Sequence, residues 1–351
     1  MTNIHINTSV GYDVTVGAGA SEAVADFICS SLRRVKKVAV VTDSNIDALH
    51  SARVMSSLAA ANLAVEKFTF LAGENSKNLV TYGSLIDFLA AKRLDRSDIV
   101  LALGGGVTGD LAGFAAATYK RGIDFIQMPT SLLAMVDSSV GGKTGVDIAA
   151  GKNLVGAFHQ PRAVFCDLRF LDTLPDSWRM DGMGEVLKYA ILGDAGLFEC
   201  LETHPLAPIG EREIAACIGM KRDIVEIDEK ESGARKLLNL GHTFAHAIEL
   251  LSGYGVSHGR AVATGIAMIS RVAAKCGVLS SDNCSRIEAL VSSMGYEVRP
   301  NVEVLAISQA ILSDKKVDGE AIDLVLPRSI GSCVVRRMNL SEIGKVVENA
   351  L

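Results

Sequence analysis

Residues 98–110 read DIVLALGGGVTGD, an apolar run that ends in three consecutive glycines and then turns into helix-forming sequence. An apolar run bounded by turn residues is the pattern of a strand buried on both faces in a parallel sheet. Gly104, Gly105 and Gly106 would let backbone N–H groups approach a phosphate, and the helix that follows presents its positive end there. A tight turn needs the same residues, so on this run alone the two readings are balanced. The spacing is not GxGxxG, and no acidic residue closes a strand at the usual distance beyond it. Acidic residues instead precede it, Asp43 after one strand-like run and Glu74 after the next.

Working outward, residues 37–42, 65–70, 123–128 and 163–167 are further short runs of strand character, with helical patterns at 78–93 and 109–120 between them. Alternating strands and helices predict a largely parallel sheet covered on both faces. Residues 4–16 predict an added edge hairpin. Beyond residue 172 long helical patterns take over, at 180–192, 211–228, 235–251, 259–276 and 284–294, and only 321–326 and 333–338 read as extended. The expected architecture is an α/β N-terminal domain with a largely parallel Rossmann-like sheet over 1–172. A mainly α-helical C-terminal domain over 173–351 follows it. No internal repeat is visible.

Bulk properties narrow the function. A chain of 351 residues exceeds one ordinary hydrophobic core, which favours two domains. With 49% hydrophobic and 21% charged residues it is globular in composition, and a net charge of −5 argues against nucleic acid as a partner. Any anion must therefore meet a local basic cluster. The seven cysteines are dispersed without a CxxC pair, as expected of reduced thiols in the cytoplasm. The first residues lack the apolar core of a signal peptide, and no apolar stretch is long enough for a membrane span.

The segment 235–251, RKLLNLGHTFAHAIELL, carries the most chemistry. Read as one helix, it places Arg235, Asn239, His242, His246 and Glu249 on one narrow stripe, with Leu237, Leu240, Phe244, Ile248 and Leu251 behind. Solvated helix faces are usually rich in Glu and Lys, whereas this front is rich in metal ligands and hydrogen-bond donors. One histidine in such a place is most often a satisfied core residue; the whole stripe reverses that preference. Spacing alone suggests His242 and His246 as a ligand pair. His258 opens the next helix and could fold back, and Glu185, with Lys188 one turn on, is a carboxylate candidate. A second group, in 135–153 (MVDSSVGGKTGVDIAAGKN), sets Asp137, Lys143, Lys152 and Asn153 in a glycine-rich loop suited to holding phosphate or carboxylate. Such a loop is by itself more often plain solvated surface. Arg121, Lys221, Arg235, Lys315 and Lys316 could join it only through the fold.

Four motifs, GGGVTGD at 104–110, MVDSSVGGKTG at 135–145, GKNLVGAFHQP at 151–161 and LNLGHTFAHAIE at 238–249, resemble the dehydroquinate synthases. The resemblance runs from end to end. It implies a lyase that uses NAD and one divalent metal, zinc or cobalt. The substrate would be 3-deoxy-D-arabino-heptulosonate 7-phosphate, a sugar-acid phosphate of the shikimate pathway to aromatic amino acids. The products would be 3-dehydroquinate and phosphate, formed by transient oxidation, phosphate β-elimination, re-reduction and aldol closure.

The resemblance also implies roles by position. Metal ligands would be Glu185, His242 and His258, with His246 turned to substrate. NAD would meet Asp43 and Asn45, then Ala72, Gly73, Glu74, Asn75, Ser76 and Lys77. Further contacts would come from Gly106, Val107, Thr108, Gly109, Asp110, Thr130 and Ser131. Lys143, Lys152, Phe170, Leu171, Asp172 and Thr173 would complete that site. Substrate would meet Asp137, Lys143, Asn153, Lys188, Lys221, Arg235, Asn239, His246 and either Lys315 or Lys316, of which Lys316 is the one favoured. Arg121 would reach into the partner's site of a homodimer. The chain departs from the family pattern in lacking proline before the AGENSK glycine, in Ala245 for the usual glycine, and in Arg260 where an acidic residue is common.

Three other functions compete. A sister sugar-phosphate cyclase making valiolone- or inosose-type rings would lack a substrate carboxylate, against which Lys221, Arg235, Asn239 and His246 argue. A metal-dependent polyol or alcohol dehydrogenase shares the two-domain plan, but its glycine loop typically reads GGGS. A catalytically inactive binding protein would have no need of intact metal and anion residues.

Overall fold

The computed structural model describes residues 1–32, 34–300, 302–312, 317–318 and 320–351. Its contacts group the chain into two compact units: Met1–Arg179 with Gly210–Glu229, and Met180–Ile209 with Lys230–Leu351.

The first unit is built on a seven-stranded sheet. Its strands are β1 (Thr2–Ile6), β2 (Tyr12–Gly17), β3 (Lys37–Asp43), β4 (Ala64–Phe70), β5 (Ile99–Gly104), β6 (Asp124–Pro129) and β9 (Ala163–Asp167). They lie in the order β1-β2-β9-β6-β5-β3-β4. All neighbours are parallel except β1 and β2, which pair antiparallel as the expected edge hairpin. Every residue of β5 is buried, as its uninterrupted apolar run requires. Ala39, Val41, Val100, Ala102 and Phe125 face Leu85, Leu89, Leu111 and Ala115, from the helices Leu79–Ala91 and Gly106–Thr118, in one apolar layer. The helix Glu211–Ile227 packs on β1 and β2 and so lies in the first unit, although it follows part of the second in sequence.

The segment 135–153 is more ordered than a loop. A short π-helical turn, Ala134–Ser138, leads to a two-stranded antiparallel hairpin of β7 (Lys143–Ile148) and β8 (Gly151–Phe158). Gly145 and Gly156 face each other in it, and a Cβ on Gly156 would lie 2.1 Å from the Thr144 carbonyl oxygen. The glycines that made the segment look irregular are what let the two strands close.

Asp167, at the end of β9 with its side chain wholly buried, ties that strand to the turn after β2. Its carboxylate accepts from Gly19 N at 2.9 Å, Ser21 Oγ at 2.5 Å and Arg169 Nη2 at 2.7 Å. Burial raises its pKa, but the bonds from Arg169, Ser21 and Gly19 outweigh burial and hold it well below the usual carboxylate range. A depressed carboxyl stabilises the fold above its unfolded value, and that stability drains away as pH falls. Asp167→Asn is therefore expected to cost about 2 kcal/mol at pH 7. The gap to wild type should close below about pH 4. Denaturant midpoints across pH check this, and a gap that does not narrow in acid would contradict it.

The second unit is mainly helical, with a three-stranded antiparallel sheet whose two long strands are Ala321–Ser329 and Ser332–Asn339. At its centre the helix His258–Lys275 is buried along most of its length. It packs against the helices His242–Leu251, Ser281–Ser293 and Ile343–Ala350 and the strand Ala321–Ser329. Its run of Ala, Gly and Ser leaves room for neighbours on every side. Residues 235–251 do not form the one helix expected. A 3-10 turn, Ala234–Asn239, precedes the α-helix His242–Leu251, and Gly241 between them takes a left-handed φ of 77°. The stripe running from Arg235 to Glu249 is thus two pieces meeting at a glycine. Lys315 and Lys316 lie outside the described residues.

Candidate active site

In the second unit three segments converge because glycines let their backbones touch. A Cβ on Gly184 would lie 2.0 Å from the Gly259 carbonyl oxygen, and one on Gly259 would lie 1.7 Å from that of Asp181. One on Gly265 would meet the Gly241 oxygen at 2.2 Å. The helix Asp176–Gly193 therefore lies directly against the start of His258–Lys275, and that helix against the start of His242–Leu251. Asp181 Oδ1 accepts from Gly259 N at 2.6 Å and caps the helix that His258 opens.

These contacts place Glu185, His242 and His258 together, each with a ligand atom within 4.8 Å of the others. Among the described residues this is the one group of three or more His, Cys, Asp or Glu that could hold a metal ion. Glu185 Oε1 lies 3.2 Å from His258 Nε2 and 3.5 Å from His242 Nε2. Both imidazoles are engaged on the far side, His242 Nδ1 3.1 Å from the Leu240 carbonyl oxygen and His258 Nδ1 3.4 Å from Glu249 Oε2. Donation from each Nδ1–H turns both Nε2 atoms toward Glu185, the orientation in which metal-binding imidazoles are held. Burial pulls the His258 pKa down, but its hydrogen bonds to Glu185 and Glu249 outweigh burial and lift it to about 10. A cation entering there would displace that proton.

His246 sits one helical turn after His242, its ring centroid 5.9 Å away, and is not one of the three. Lys188 is buried with its Nζ 2.5 Å from Glu185 Oε2. Arg235 is buried too, and Asn239 is half-buried. Glu231, which no sequence pattern singled out, holds a left-handed φ of 61° in the segment leading to Arg235. Such backbone strain in a residue other than glycine often marks functional loops.

In the first unit, β3 and β5 are neighbours, while β4 lies beyond β3 and β6 beyond β5. The strand order reverses between β3 and β5, and open α/β sheets bind ligands off the carboxyl ends of strands at such a point. Asp43 ends β3 and accepts from Asn45 N and Ile46 N at 2.9 and 3.1 Å. The glycine run ends β5 and opens the helix Gly106–Thr118, whose Thr108 hydroxyl lies 3.5 Å from Asp43 Oδ2. Thr130 follows β6 and donates its N–H to the Gly104 carbonyl at 3.0 Å; Ser131 Oγ accepts from Ala134 N at 3.3 Å.

Beside this lies an ionic cluster. Lys77 is buried, with its Nζ 2.9 Å from Glu74, 3.4 Å from Asp110 and 3.9 Å from Asp147. Lys152 reaches Glu74 at 3.9 Å. Burial pushes the Asp110 carboxyl up to about 6 against the pull of Lys77. Asn153 takes a left-handed φ of 53° and donates its backbone N–H to Asp147 Oδ1 at 2.7 Å.

Lys221 donates to the Asp137 carbonyl at 2.7 Å and pairs with its carboxylate at 3.2 Å. Lys143 is exposed. Arg121 is exposed with a left-handed φ of 67°. Phe170 and Leu171 are buried, while Asp172 and Thr173 are exposed. His50, which sequence reading passed over, lies 2.8 Å from the Thr173 hydroxyl and against the Phe170 ring at 4.8 Å. Nothing in its sequence neighbourhood signals that contact, which spans 123 residues.

Comparison with known proteins follows the same lines. Residues 67–180 match the model of the 3-dehydroquinate synthase N-terminal region, and residues 182–317 that of its C-terminal region. The chain is 45% identical to a 3-dehydroquinate synthase of Caulobacter vibrioides over 93% of its own length and 92% of the relative's. It is 41% identical to one of Streptococcus mutans, with 96% and 97% covered. Among solved structures, a 2-deoxy-scyllo-inosose synthase complexed with carbaglucose-6-phosphate, NAD+ and Co2+ superposes with a TM-score of 0.89 at 25% identity, all of both chains covered. A 2-epi-5-epi-valiolone synthase from Streptomyces hygroscopicus with NAD+ and Zn2+ bound gives 0.87 at 25%, with 99% and 98% covered. An iron-containing alcohol dehydrogenase from Corynebacterium glutamicum, at 15% identity and a TM-score of 0.67 over 100% and 97%, shares the fold.

Proposed function

The chain belongs to the 3-dehydroquinate synthase family, and from that premise we infer that it converts 3-deoxy-D-arabino-heptulosonate 7-phosphate to 3-dehydroquinate and phosphate. The observation that carries this reading is the identity of 45% over 93% of the chain, against 25% to the sister cyclases. Two imidazole nitrogens and a carboxylate oxygen, with the rest of the coordination sphere left to substrate, suit zinc or cobalt. Bound there, the cation would supply Lewis acidity toward a substrate oxygen, and NAD would supply a reversible hydride acceptor.

The assignments by residue follow from the family. Glu185, His242 and His258 hold the cation. Lys188, whose Nζ lies 2.5 Å from Glu185 Oε2, also orients that carboxylate. Asp137, Lys143, Asn153, Lys188, Lys221, Arg235, Asn239, His246 and either Lys315 or Lys316 bind the carboxylate, hydroxyls and phosphate of the substrate. Asp43, Asn45, residues 72–77, Gly106–Asp110, Thr130, Ser131, Lys143, Lys152 and residues 170–173 take NAD. The unit Met1–Arg179 with Gly210–Glu229 thus carries the NAD contacts, and the unit Met180–Ile209 with Lys230–Leu351 the metal ligands. Elimination, ring opening and aldol closure draw chiefly on the substrate's own groups, which the chain orients and shields from water. The enzyme is a cytoplasmic lyase acting as a homodimer, Arg121 reaching the partner's site.

Phosphate release decides the matter. The purified protein with NAD and Co2+ should release phosphate from the heptulosonate phosphate and not from sedoheptulose 7-phosphate or glucose 6-phosphate. No NADH should accumulate. Brisk turnover of another sugar phosphate, with none of the first, would sink the assignment; steady NADH production would point to a dehydrogenase.

A further inference from the structure

Among the residues around the three candidate ligands, Glu249 has had no role. It is 7% exposed, and it sits seven residues after His242 on the helix His242–Leu251. Its Oε2 lies 3.4 Å from His258 Nδ1, while His258 Nε2 lies 3.2 Å from Glu185 Oε1. Glu249 is anchored from behind: its carbonyl accepts from Tyr254 N at 2.7 Å and from Ser252 Oγ at 3.0 Å. The turn that leads from one helix to the next therefore fixes the backbone from which the Glu249 carboxylate reaches His258.

We propose that Glu249 is a positioning residue for the metal site, fixing the tautomer and ring orientation of His258 by accepting from its Nδ1–H. The inference rests on the metal-site reading given above. His242 and His258 both present Nε2 to Glu185, so each needs an acceptor on Nδ1. His242 finds one in the Leu240 carbonyl, two residues away on the chain, which no substitution removes. His258 opens its helix and has Glu249 within reach instead. An acceptor in that position keeps the proton on Nδ1 and the lone pair on Nε2, and it raises the basicity of the ligand nitrogen. The site is thus held by one backbone acceptor and one side-chain acceptor, and only the second can be altered by mutation.

The test measures Co2+ affinity of the stripped protein by competition with a chromophoric chelator, for wild type, Glu249→Gln and Glu249→Ala. Glu249→Ala should weaken binding about 10- to 100-fold. Glu249→Gln, whose amide oxygen still accepts from Nδ1–H, should recover much of that loss and keep the visible Co2+ spectrum of wild type. NAD affinity should be unchanged in both. Binding within twofold of wild type in both variants would overturn the proposal. So would equal losses in both, accompanied by a matching fall in thermal midpoint of the ion-free protein, since that is structural damage. If wild type itself binds no Co2+, the metal-site reading falls, and this proposal with it.

Discussion

Gly259→Ala is expected to destabilise the protein by about 3 kcal/mol or more and to abolish tight Co2+ binding. The added Cβ would stand 1.7 Å from the Asp181 carbonyl oxygen, and a backbone atom cannot swing aside as a side chain can. The helix His258–Lys275 would have to back away from Asp176–Gly193 by more than an ångström. That motion breaks the 2.6 Å cap from Asp181 to Gly259 N and carries His258 off Glu185, so stability and ion binding fail together. Gly83→Ala is the control. Gly83 lies inside the helix Leu79–Ala91 with nothing within 4 Å of its missing Cβ, and it should gain a few tenths of a kcal/mol or more. Denaturant unfolding and Co2+ titration of the two variants provide the check. A Gly259→Ala protein with a wild-type midpoint would show that the backbone contact is not tight in solution.

His242→Ala should leave a folded chain that holds no stoichiometric divalent cation and turns over about 10³-fold slower or worse. Lewis-acid stabilisation is worth several kcal/mol at the transition state, and each 1.36 kcal/mol is a decade of rate, so about 4 kcal/mol gives that figure. The informative partner is His246→Ala. Spacing alone makes His242 and His246 the ligand pair, whereas the structure brings His242 together with His258 and Glu185. If the latter three are the ligands, His246→Ala keeps its metal while losing rate. Metal analysis of the purified variants separates the cases. Ion loss in His246→Ala, with retention in His258→Ala, would restore the pair read from spacing; undiminished metal and rate in His242→Ala would refute both.

What could be read without coordinates was whatever repeats over short distances. The apolar run at 99–104, the alternation of strands and helices and the edge hairpin are local patterns, and the parallel sheet follows from them. The stripe at 235–251 pointed to a polar, ligand-rich face but assumed an unbroken helix. Gly241 breaks it, because the close approach of the Val262 carbonyl oxygen and the Ile266 backbone N, at 2.9 Å each from a Cβ placed there, and a left-handed turn both require a residue without one. The hairpin of β7 and β8 was hidden by the same glycines that permit it. His258, Glu249 and Glu185 stand in separate segments, and no period in the sequence links them; residue type made His258 and Glu185 candidates, and family resemblance set them with His242 in place of His246. Asp167 and His50 make contacts 146 and 123 residues distant, which is the range at which pattern has nothing to say.

The placement of the helix Glu211–Ile227 has a consequence for how the chain is made. The polypeptide passes from one unit to the other three times, after residues 179, 209 and 229. During synthesis the sheet of the first unit emerges long before the helix that covers β1 and β2, with thirty residues of the second unit appearing in between. The nascent first unit must therefore wait with an apolar sheet face uncovered, a state in which chaperones would have something to hold. For the same reason no cut at one peptide bond yields two self-sufficient fragments. The two units are threaded through each other in the gene, and they can be completed only as a pair.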